Sequence, residues 1–386
     1  MKRASGILLA LVLTFSLLPL PARGAGLEIG GKSAVLMDAA TGTILYESNS
    51  HERLAPASVT KVMTMLLIME AVDSGKIAMT DTVTASEAAA AKGGSQIFLK
   101  VGETMPVSDM LKSIAVSSAN DCACAMAEHI AGSEGAFVEL MNRRAEELGM
   151  QDTHFVNCTG LDDGENASEH RTSAYDIALM SRELLTKHPD IKKFTTIWMD
   201  TVRNGAFGLS NTNKLIRFYN GATGLKTGFT SGAGYCLSAT AEREGMELIA
   251  VVMGCKTSPE RTAACKSMLD YGFSNFSVIS PELGESLQVP VVLGKEPAAA
   301  VELGAGEKLL IDKGQKSLIT TETSLDPSVH APVSQGQRLG TLRVMAGEQV
   351  LREIPLVASK GIPRLTFGDL YLLVLRRAAM AKPEEK

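Results

Sequence analysis

From Val62 to Met69 the chain reads Val-Met-Thr-Met-Leu-Leu-Ile-Met, apolar nearly all the way round a helix. A helix without a polar face belongs inside a core and not on its surface. Pro56 marks where it starts, because proline is tolerated at the beginning of a helix and not within it. Ser58 then falls in the first turn, and Lys61 is its neighbour on the same face. The polar pair sits at one end of a rigid, buried support.

A hydroxyl is a poor nucleophile until a base takes its proton. A neutral lysine can be that base once burial or a second cation pushes it below its solution pKa. The positive end of the helix also favours negative charge developing near Ser58. Taken alone, Ser-x-x-Lys is a weak pattern whose plainer reading is a capping serine followed by a surface lysine, so the rest of the chain has to decide.

The chain has 386 residues, 45% of them hydrophobic, enough for a large core and two domains. Met1-Lys2-Arg3, an apolar run from Ile7 to Leu20 and the small residues around Ala22 to Ala25 read as a secretory signal peptide over residues 1–24. The mature protein is therefore expected outside the cytoplasmic membrane. A net charge of -5 with no basic stripe argues against nucleic-acid binding. The cysteines at 122, 124, 158, 236, 255 and 265 form no Cys-x-x-Cys pair, so free thiols and disulfides both stay open. No histidine or cysteine cluster has zinc spacing, and neither a metal nor a cofactor is expected.

Residues 34–38 and 43–46 read as a hairpin turning at Thr41-Gly42, leading into the Ser58 helix. A short helix and loop follow over 83–101, then a helix over 107–114 with Ser108 as its N-cap. Ser118, Asn120 and Asp121 precede an apolar helical run from Cys122 to Ile130. Such residues are ordinary caps, and a functional reading requires Ser118 and Asn120 to point together into a cleft. After a helix over 136–148 comes a long polar stretch, 154–176, which ends where Thr172-Ser173 cap a helix over 175–185. Loops of that length inside a compact domain are usually functional or disordered. His170 in it either holds its own loop or reaches the site.

Gly224-Leu-Lys226-Thr227-Gly228-Phe229 precedes two strand patterns, 235–240 and 246–253, joined at Glu244-Gly245. A strand carrying Lys226, Thr227 and Gly228 beside the serine supplies a cation, a hydroxyl and room for a substrate backbone. A helix over 260–271 closes this first domain. From Pro281 short apolar alternations separated by glycine turns predict a small all-β domain. Leu365 to Met380 has an apolar face, including Phe367, Tyr371 and Val374, with Arg376, Arg377 and Lys382 behind it. It is too short and too charged to span a bilayer and suits the interface beside anionic lipids.

Ser58-Val-Thr-Lys61, Ser118-Ala-Asn120 and Lys226-Thr227-Gly228 are the three motifs shared by class A β-lactamases and penicillin-binding proteins. With Pro56-Ala-Ser-Val-Thr-Lys-Val-Met-Thr, His170-x-Thr-Ser-Ala-x-Asp176 and Gly224-Leu-Lys-Thr-Gly-Phe-Thr230 around them, the chain from about residue 27 onward resembles the low-molecular-mass D-alanyl-D-alanine carboxypeptidases. The resemblance implies an α/β (α+β) fold with an antiparallel sheet flanked by helices and a helical lobe. The domains would be a catalytic one over 27–278, a β-rich one over 281–360 and a membrane-anchoring tail over 364–386. It implies a serine-type D-Ala-D-Ala carboxypeptidase at the outer face of the bacterial cytoplasmic membrane. The substrate would be the peptidoglycan stem peptide ending in D-Ala-D-Ala, with β-lactams as covalent inhibitors.

By the same resemblance Ser58 attacks, Lys61 is the general base, and Lys226 restrains Lys61 from holding its proton and draws in the carboxylate. Ser118 relays a proton to the leaving D-alanine, Asn120 holds the peptide amide, and Thr227, helped by Arg261, binds the carboxylate. The N–H groups of Ser58 and Phe229 form the oxyanion hole, and Gly228 belongs to the same binding strand. Phe229 stands where some members have histidine. No Glu-x-x-Leu-Asn pattern follows in the 160–176 loop, which sets the chain apart from class A β-lactamases and implies slow release of bound penicillin. A β-lactamase and a non-catalytic β-lactam sensor or scaffold are the alternatives.

Overall fold

The computed structural model describes residues 27–162, 166–284, 287–304 and 308–380. The expected signal peptide over 1–24 lies outside them, as do Asp163, Gly164, Lys382 and the side chain of Arg377. Strands β1 (Ser33–Asp38) and β2 (Ile44–Ser48) form the expected hairpin. Asp38 closes its turn by accepting the Thr41 N–H at 2.8 Å and the Thr41 hydroxyl at 2.7 Å. A single 3-10 turn, Ala57–Thr60, then runs into α1 (Lys61–Asp73), in which every residue from 61 to 69 is buried. The all-round apolar run is thus the axle of the main core.

The lobe that follows contains β3 (Thr82–Thr84), α2 (Glu87–Ala90), β4 (Thr104–Pro106), α3 (Val107–Ser117), α4 (Asn120–Ala131), α5 (Glu134–Glu147) and α6 (Ala174–Lys187). Ser173 caps α6 as expected, accepting the Asp176 N–H. Ser108 does not cap α3. That helix starts directly after Pro106, and its first two N–H groups go to the carbonyls of Asp81 and Met79, so no side-chain cap is needed.

After α7 (Lys192–Thr195), the β5 (Met199–Val202) and β6 (Phe207–Ser210) ribbon and α8 (Leu215–Phe218), the chain returns to the sheet. Strands β7 (Ala222–Thr230), β8 (Gly234–Arg243) and β9 (Met246–Cys255) complete the antiparallel order β2-β1-β9-β8-β7. Side chains alternate across a strand. Val35, Met37, Ile249, Val251 and Met253 therefore join the core around α1, while Ala34, Leu36, Leu248, Ala250 and Val252 meet Cys265, Met268 and Leu269 of α9 (Ser258–Asn275). With both faces covered, β9 reads in sequence as a nearly unbroken apolar run.

Strand β10 (Phe276–Ile279) follows α9, then β11 (Gln288–Val292), β12 (Ala298–Leu303), β13 (Leu309–Asp312), β14 (Ile319–Leu325), β15 (Val329–His330), β16 (Arg338–Ala346) and β17 (Gln349–Ala358). Six of them form a sheet in the order β14-β16-β17-β12-β11-β15, while β10 pairs with β13. Two small cores, one around Val289, Leu339 and Ile362 and one around Leu342, Ile354 and Leu356, support this all-β part. Helix α10 (Phe367–Met380) ends the described chain with Phe367, Tyr371, Leu372, Leu373, Val374 and Leu375 exposed. No helix among the described residues is long and apolar enough to cross a membrane.

Candidate active site

Ser58 is half-buried in the 3-10 turn, between the buried Ala57 and Val59. The turn is tightly held. Ala57 carries φ 49, a conformation that costs a non-glycine residue of order 1 kcal/mol or more. The Thr60 hydroxyl donates to the Ala57 carbonyl at 2.9 Å and lies 2.7 Å from His170 Nε2. Gly160, at φ +82, presses on the same turn, and a Cβ there would lie 1.8 Å from the Ala57 oxygen. Glycine is therefore required at 160, both for the left-handed backbone and for the contact.

Lys61 Nζ lies 2.9 Å from Ser58 Oγ and donates to the Thr159 carbonyl at 2.7 Å. The side chain is completely buried, and burial pulls its pKa down from 10.5 to about 7 against the weaker opposing influence of Cys158 and Asp121. Asn157 places the Thr159 carbonyl: its Oδ1 accepts from the N–H groups of Thr159 and Gly160 and from the Thr159 hydroxyl. The Thr64 hydroxyl pins the neighbouring Cys158 carbonyl at 2.7 Å. His170 holds this loop and reaches the turn: its Nδ1 accepts the Val156 N–H at 3.0 Å, its Nε2 meets Thr60, and burial lowers its pKa to about 4. It bonds neither Ser58 nor Lys61.

Ser118 ends α3 in the left-handed conformation, φ 65, and Asn120 opens α4. Neither acts as an N-cap, since Ala119 holds that position with no side-chain bond. Asn120 Nδ2 donates to the Gly93 carbonyl at 2.7 Å, while Asn120 Oδ1 and Ser118 Oγ are buried without a hydrogen-bond partner among the described residues. Unpaired buried polar atoms cost about 1–3 kcal/mol each, so two of them two residues apart at the α3–α4 junction make it a candidate place for a ligand.

Strand β7 forms the facing wall. Lys226 is fully buried and donates to the Thr227 carbonyl at 3.0 Å. Burial first, then repulsion from Lys61 and Arg261, holds its pKa well below that of an ordinary lysine. The two lysines thus lie within electrostatic reach. Burial is the main cause of the low pKa of both lysines. The Thr227 hydroxyl meets the Thr212 hydroxyl at 2.6 Å. A Cβ on Gly228 would come within 2.7 Å of the Pro56 carbonyl oxygen and 3.1 Å of Val59, so what the missing side chain admits is the Ser58 turn itself. Phe229 is 53% exposed, its ring stacked 4.3 Å from Tyr235. Arg261 reaches the strand from α9, donates from Nη1 to the Gly228 carbonyl at 2.9 Å and leaves Nε without a hydrogen-bond partner among the described residues.

Ser58, Lys61, Ser118, Asn120 and Lys226 come from three segments far apart in sequence. Asn157, Thr159 and Thr212 were not singled out from sequence. Two of them act through a neighbour's backbone or through their own carbonyl, and the third, in the loop between β6 and α8, through its hydroxyl. The one available signal was the polar, glycine-ended Asn157-Cys-Thr-Gly160 stretch.

A half-buried serine against a fully buried lysine of lowered pKa, at the junction of a helical lobe and an antiparallel sheet, defines a serine hydrolase of the Ser-Lys type. Comparison with known proteins makes the class specific. Residues 21–257 match the D-alanyl-D-alanine carboxypeptidase family model and residues 282–364 that of the penicillin-binding protein 5 C-terminal domain. D-alanyl-D-alanine carboxypeptidase DacF of Bacillus subtilis is 46% identical over 342 residues, 87% of each chain. DacC of Escherichia coli is 34% identical over 348 residues, covering 87% of this chain and 85% of its own. Penicillin-binding protein 5 from Haemophilus influenzae superposes with a TM-score of 0.73 at 31% identity, over 88% of this chain and 99% of its own. The chain belongs to the D-alanyl-D-alanine carboxypeptidase family and is a serine-type carboxypeptidase.

Proposed function

We propose that Ser58 attacks the carbonyl between the two terminal D-alanines of a peptidoglycan stem peptide, with Lys61 as the general base. The observation that carries this is the 2.9 Å contact between Ser58 Oγ and Lys61 Nζ, an amine that burial has brought to about pKa 7. At neutral pH half of such lysines are free to take the serine proton. Ser118 returns a proton to the departing D-alanine amine, and Asn120 Oδ1 accepts from the peptide N–H. Both roles draw on atoms without a partner. Lys226 binds the terminal carboxylate, whose negative charge raises the lysine pKa so that the amine takes up a proton from solvent. Thr227 binds that carboxylate, and Arg261 supports it from behind β7. The backbone N–H groups of Ser58 and Phe229 hold the oxyanion, with donors of this kind worth about 2.7–4 kcal/mol each. Water then releases the acyl group.

A β-lactam acylates the same serine and leaves slowly, because the 160–176 loop lacks the Glu-x-x-Leu-Asn pattern that would supply a carboxylate to activate the deacylating water. We assign residues 27–278 to catalysis and 281–360 to a β domain that carries none of the catalytic residues. The protein works on the exported side of the cytoplasmic membrane. Helix α10 holds it there by lying in the interface, a reading supported by six apolar side chains left uncovered along the helix.

The test is D-alanine release from diacetyl-Lys-D-Ala-D-Ala, with labelled penicillin binding on the same samples, for the wild type and Ser58→Ala. Release and labelling both vanish in the variant. Labelling that survives removes Ser58 as nucleophile, and labelling without release in the wild type turns the reading toward a sensor.

A further inference from the structure

Glu134, in the first turn of α5, has no place in the chemistry described above, yet four donors from three segments meet on its carboxylate. Its Oε1 accepts the Cys158 N–H and the Cys158 thiol, each at 3.2 Å. Its Oε2 accepts from Lys92 Nζ at 2.6 Å and from the Cys124 thiol at 3.9 Å. Both thiols are fully buried, and the glutamate side chain is 23% exposed. A carboxylate offers about four lone-pair sites and no donor, so these bonds occupy it completely.

Helix capping does not explain the arrangement. Ser133 already caps α5 by accepting the Ala136 N–H at 3.1 Å, and the four donors all lie outside that helix. An ion pair near the surface would by itself contribute little. What sets this one apart is where its partners lead. Cys158 is bonded to Thr159, whose carbonyl holds Lys61 at 2.7 Å. The Cys158 carbonyl is taken by Thr64, so Glu134 completes the fixing of that peptide from its other side. Lys92 precedes Gly93, whose carbonyl accepts Asn120 Nδ2 at 2.7 Å and so orients the Asn120 amide. Cys124 lies one turn beyond Asn120 on α4. One carboxylate thus ties together the supports of the lysine and of the asparagine.

We propose that Glu134 is a positioning residue that holds Lys61 through the Cys158-Thr159 backbone and Asn120 through the Lys92-Gly93 backbone. The proposal deepens the reading of Lys61 as base and Asn120 as partner of the substrate amide, and rests on it. Placement of this kind matters because a shift of about 1 Å costs about a hundredfold in rate. The two arms can be released separately. Glutamine keeps an oxygen for the Cys158 N–H but loses the charge that holds Lys92, whereas alanine loses both.

The experiment measures acylation of Ser58 by benzylpenicillin, which carries a side-chain amide, and by 6-aminopenicillanic acid, which lacks it. Lys92→Met and Glu134→Gln should each lose about fivefold in the second-order rate constant with benzylpenicillin and less than about twofold with 6-aminopenicillanic acid, since only the Asn120 arm is released. Glu134→Ala should lose about tenfold with both compounds, because Lys61 is freed as well. Wild-type rates in Glu134→Ala would overturn the proposal, and so would equal losses on both compounds in all three variants, the mark of a purely structural role. Deuterium exchange over 137–145 as slow as in the wild type certifies that α5 is folded; should Glu134→Ala fail that check, Glu134→Asp, one methylene short of the Cys158 N–H, takes its place with the same expected losses. If the wild type is acylated by neither compound, the reading of the site has failed, and the coupling is judged by exchange alone. The backbone over 156–160 should then exchange about tenfold faster in Glu134→Ala and at the wild-type rate in Lys92→Met, and unchanged exchange in Glu134→Ala refutes the coupling.

Discussion

If Lys61 is the base, the rate of Ser58 acylation must follow its deprotonation. At pH 7 a lysine of ordinary pKa 10.5 is neutral in about one molecule in 3,000, whereas at about 7 half are neutral. Burial therefore supplies roughly a 1,500-fold larger share of neutral lysine, a gain partly offset by the weaker basicity of an amine at that pKa. The rate constant for acylation by a fluorescent penicillin, measured by stopped flow from pH 5.5 to 9, should rise tenfold per pH unit at the acid end and level off above about pH 7. The same shift has a stability signature. The folded-state pKa lies below the unfolded value, so between pH 7 and 10.5 the unfolded chain holds a proton that the folded one lacks, and stability rises with pH across that window. Between pH 7 and 9 the wild type should gain about 2 kcal/mol relative to Lys61→Met in urea melts. An acylation rate still climbing at pH 9, or flat throughout, would refute the assignment of a burial-tuned lysine base.

Gly160→Ala drives a methyl into the Ala57 carbonyl, 1.8 Å away, on a left-handed backbone; the melting profile should show a loss of about 3 kcal/mol and acylation should fall at least a hundredfold. The pKa of His170 drops from 6.5 to about 4 on folding, so the unfolded state takes up the proton first and stability falls as pH drops through that window, by roughly 3 kcal/mol in total. Urea midpoints from pH 7 to 4 should show this decline, and His170→Gln should flatten it. Thr212→Val removes the 2.6 Å partner of the Thr227 hydroxyl and should cost about tenfold in kcat/KM for D-Ala-D-Ala peptides, with the melting temperature unchanged. Deleting residues 365–386 should leave D-alanine release intact while abolishing co-sedimentation with phosphatidylglycerol vesicles, and a truncated protein that still pellets would refute the α10 anchor.

The Ser58-Lys61 contact could be read from sequence because helical spacing alone makes the two residues neighbours, and the run after them announced its own burial. The sheet could be read for a similar reason: β7, β8 and β9 follow one another through short turns, and their alternation or continuous apolarity is local. Ser118 and Asn120 could not be read locally. In a chain met for the first time they pass for caps, and what excludes that role is the left-handed turn at Ser118 and the N-cap at Ala119, which are three-dimensional facts. Ser108 failed in the opposite direction. It has the right residue type for a cap, but the helix begins at Val107, so Ser108 already lies inside the first turn, and its own N–H and that of Val107 go to the Met79 and Asp81 carbonyls. Strand β17, largely exposed over its first half, carries too little apolar alternation to be seen.

The support of the site is illegible for a deeper reason than distance in sequence. Asn157 orients Thr159, whose carbonyl holds Lys61. His170 couples the loop at Val156 to Thr60 in the nucleophile turn. Each bond has a backbone atom or a hydroxyl at one end, groups that nearly every residue possesses, so no pairing of residue types betrays it. Gly228 makes the same point from the other side. As part of Lys-Thr-Gly it suggests space for a substrate, yet the atoms that fill the space are Pro56 and Val59 on either side of Ser58. The glycine lets β7 dock against the catalytic turn, and it is this docking that brings Lys226 within reach of Lys61. A substitution there would separate the two walls of the cleft before it touched any substrate, so the third motif is as much a hinge of the architecture as a part of the binding strand.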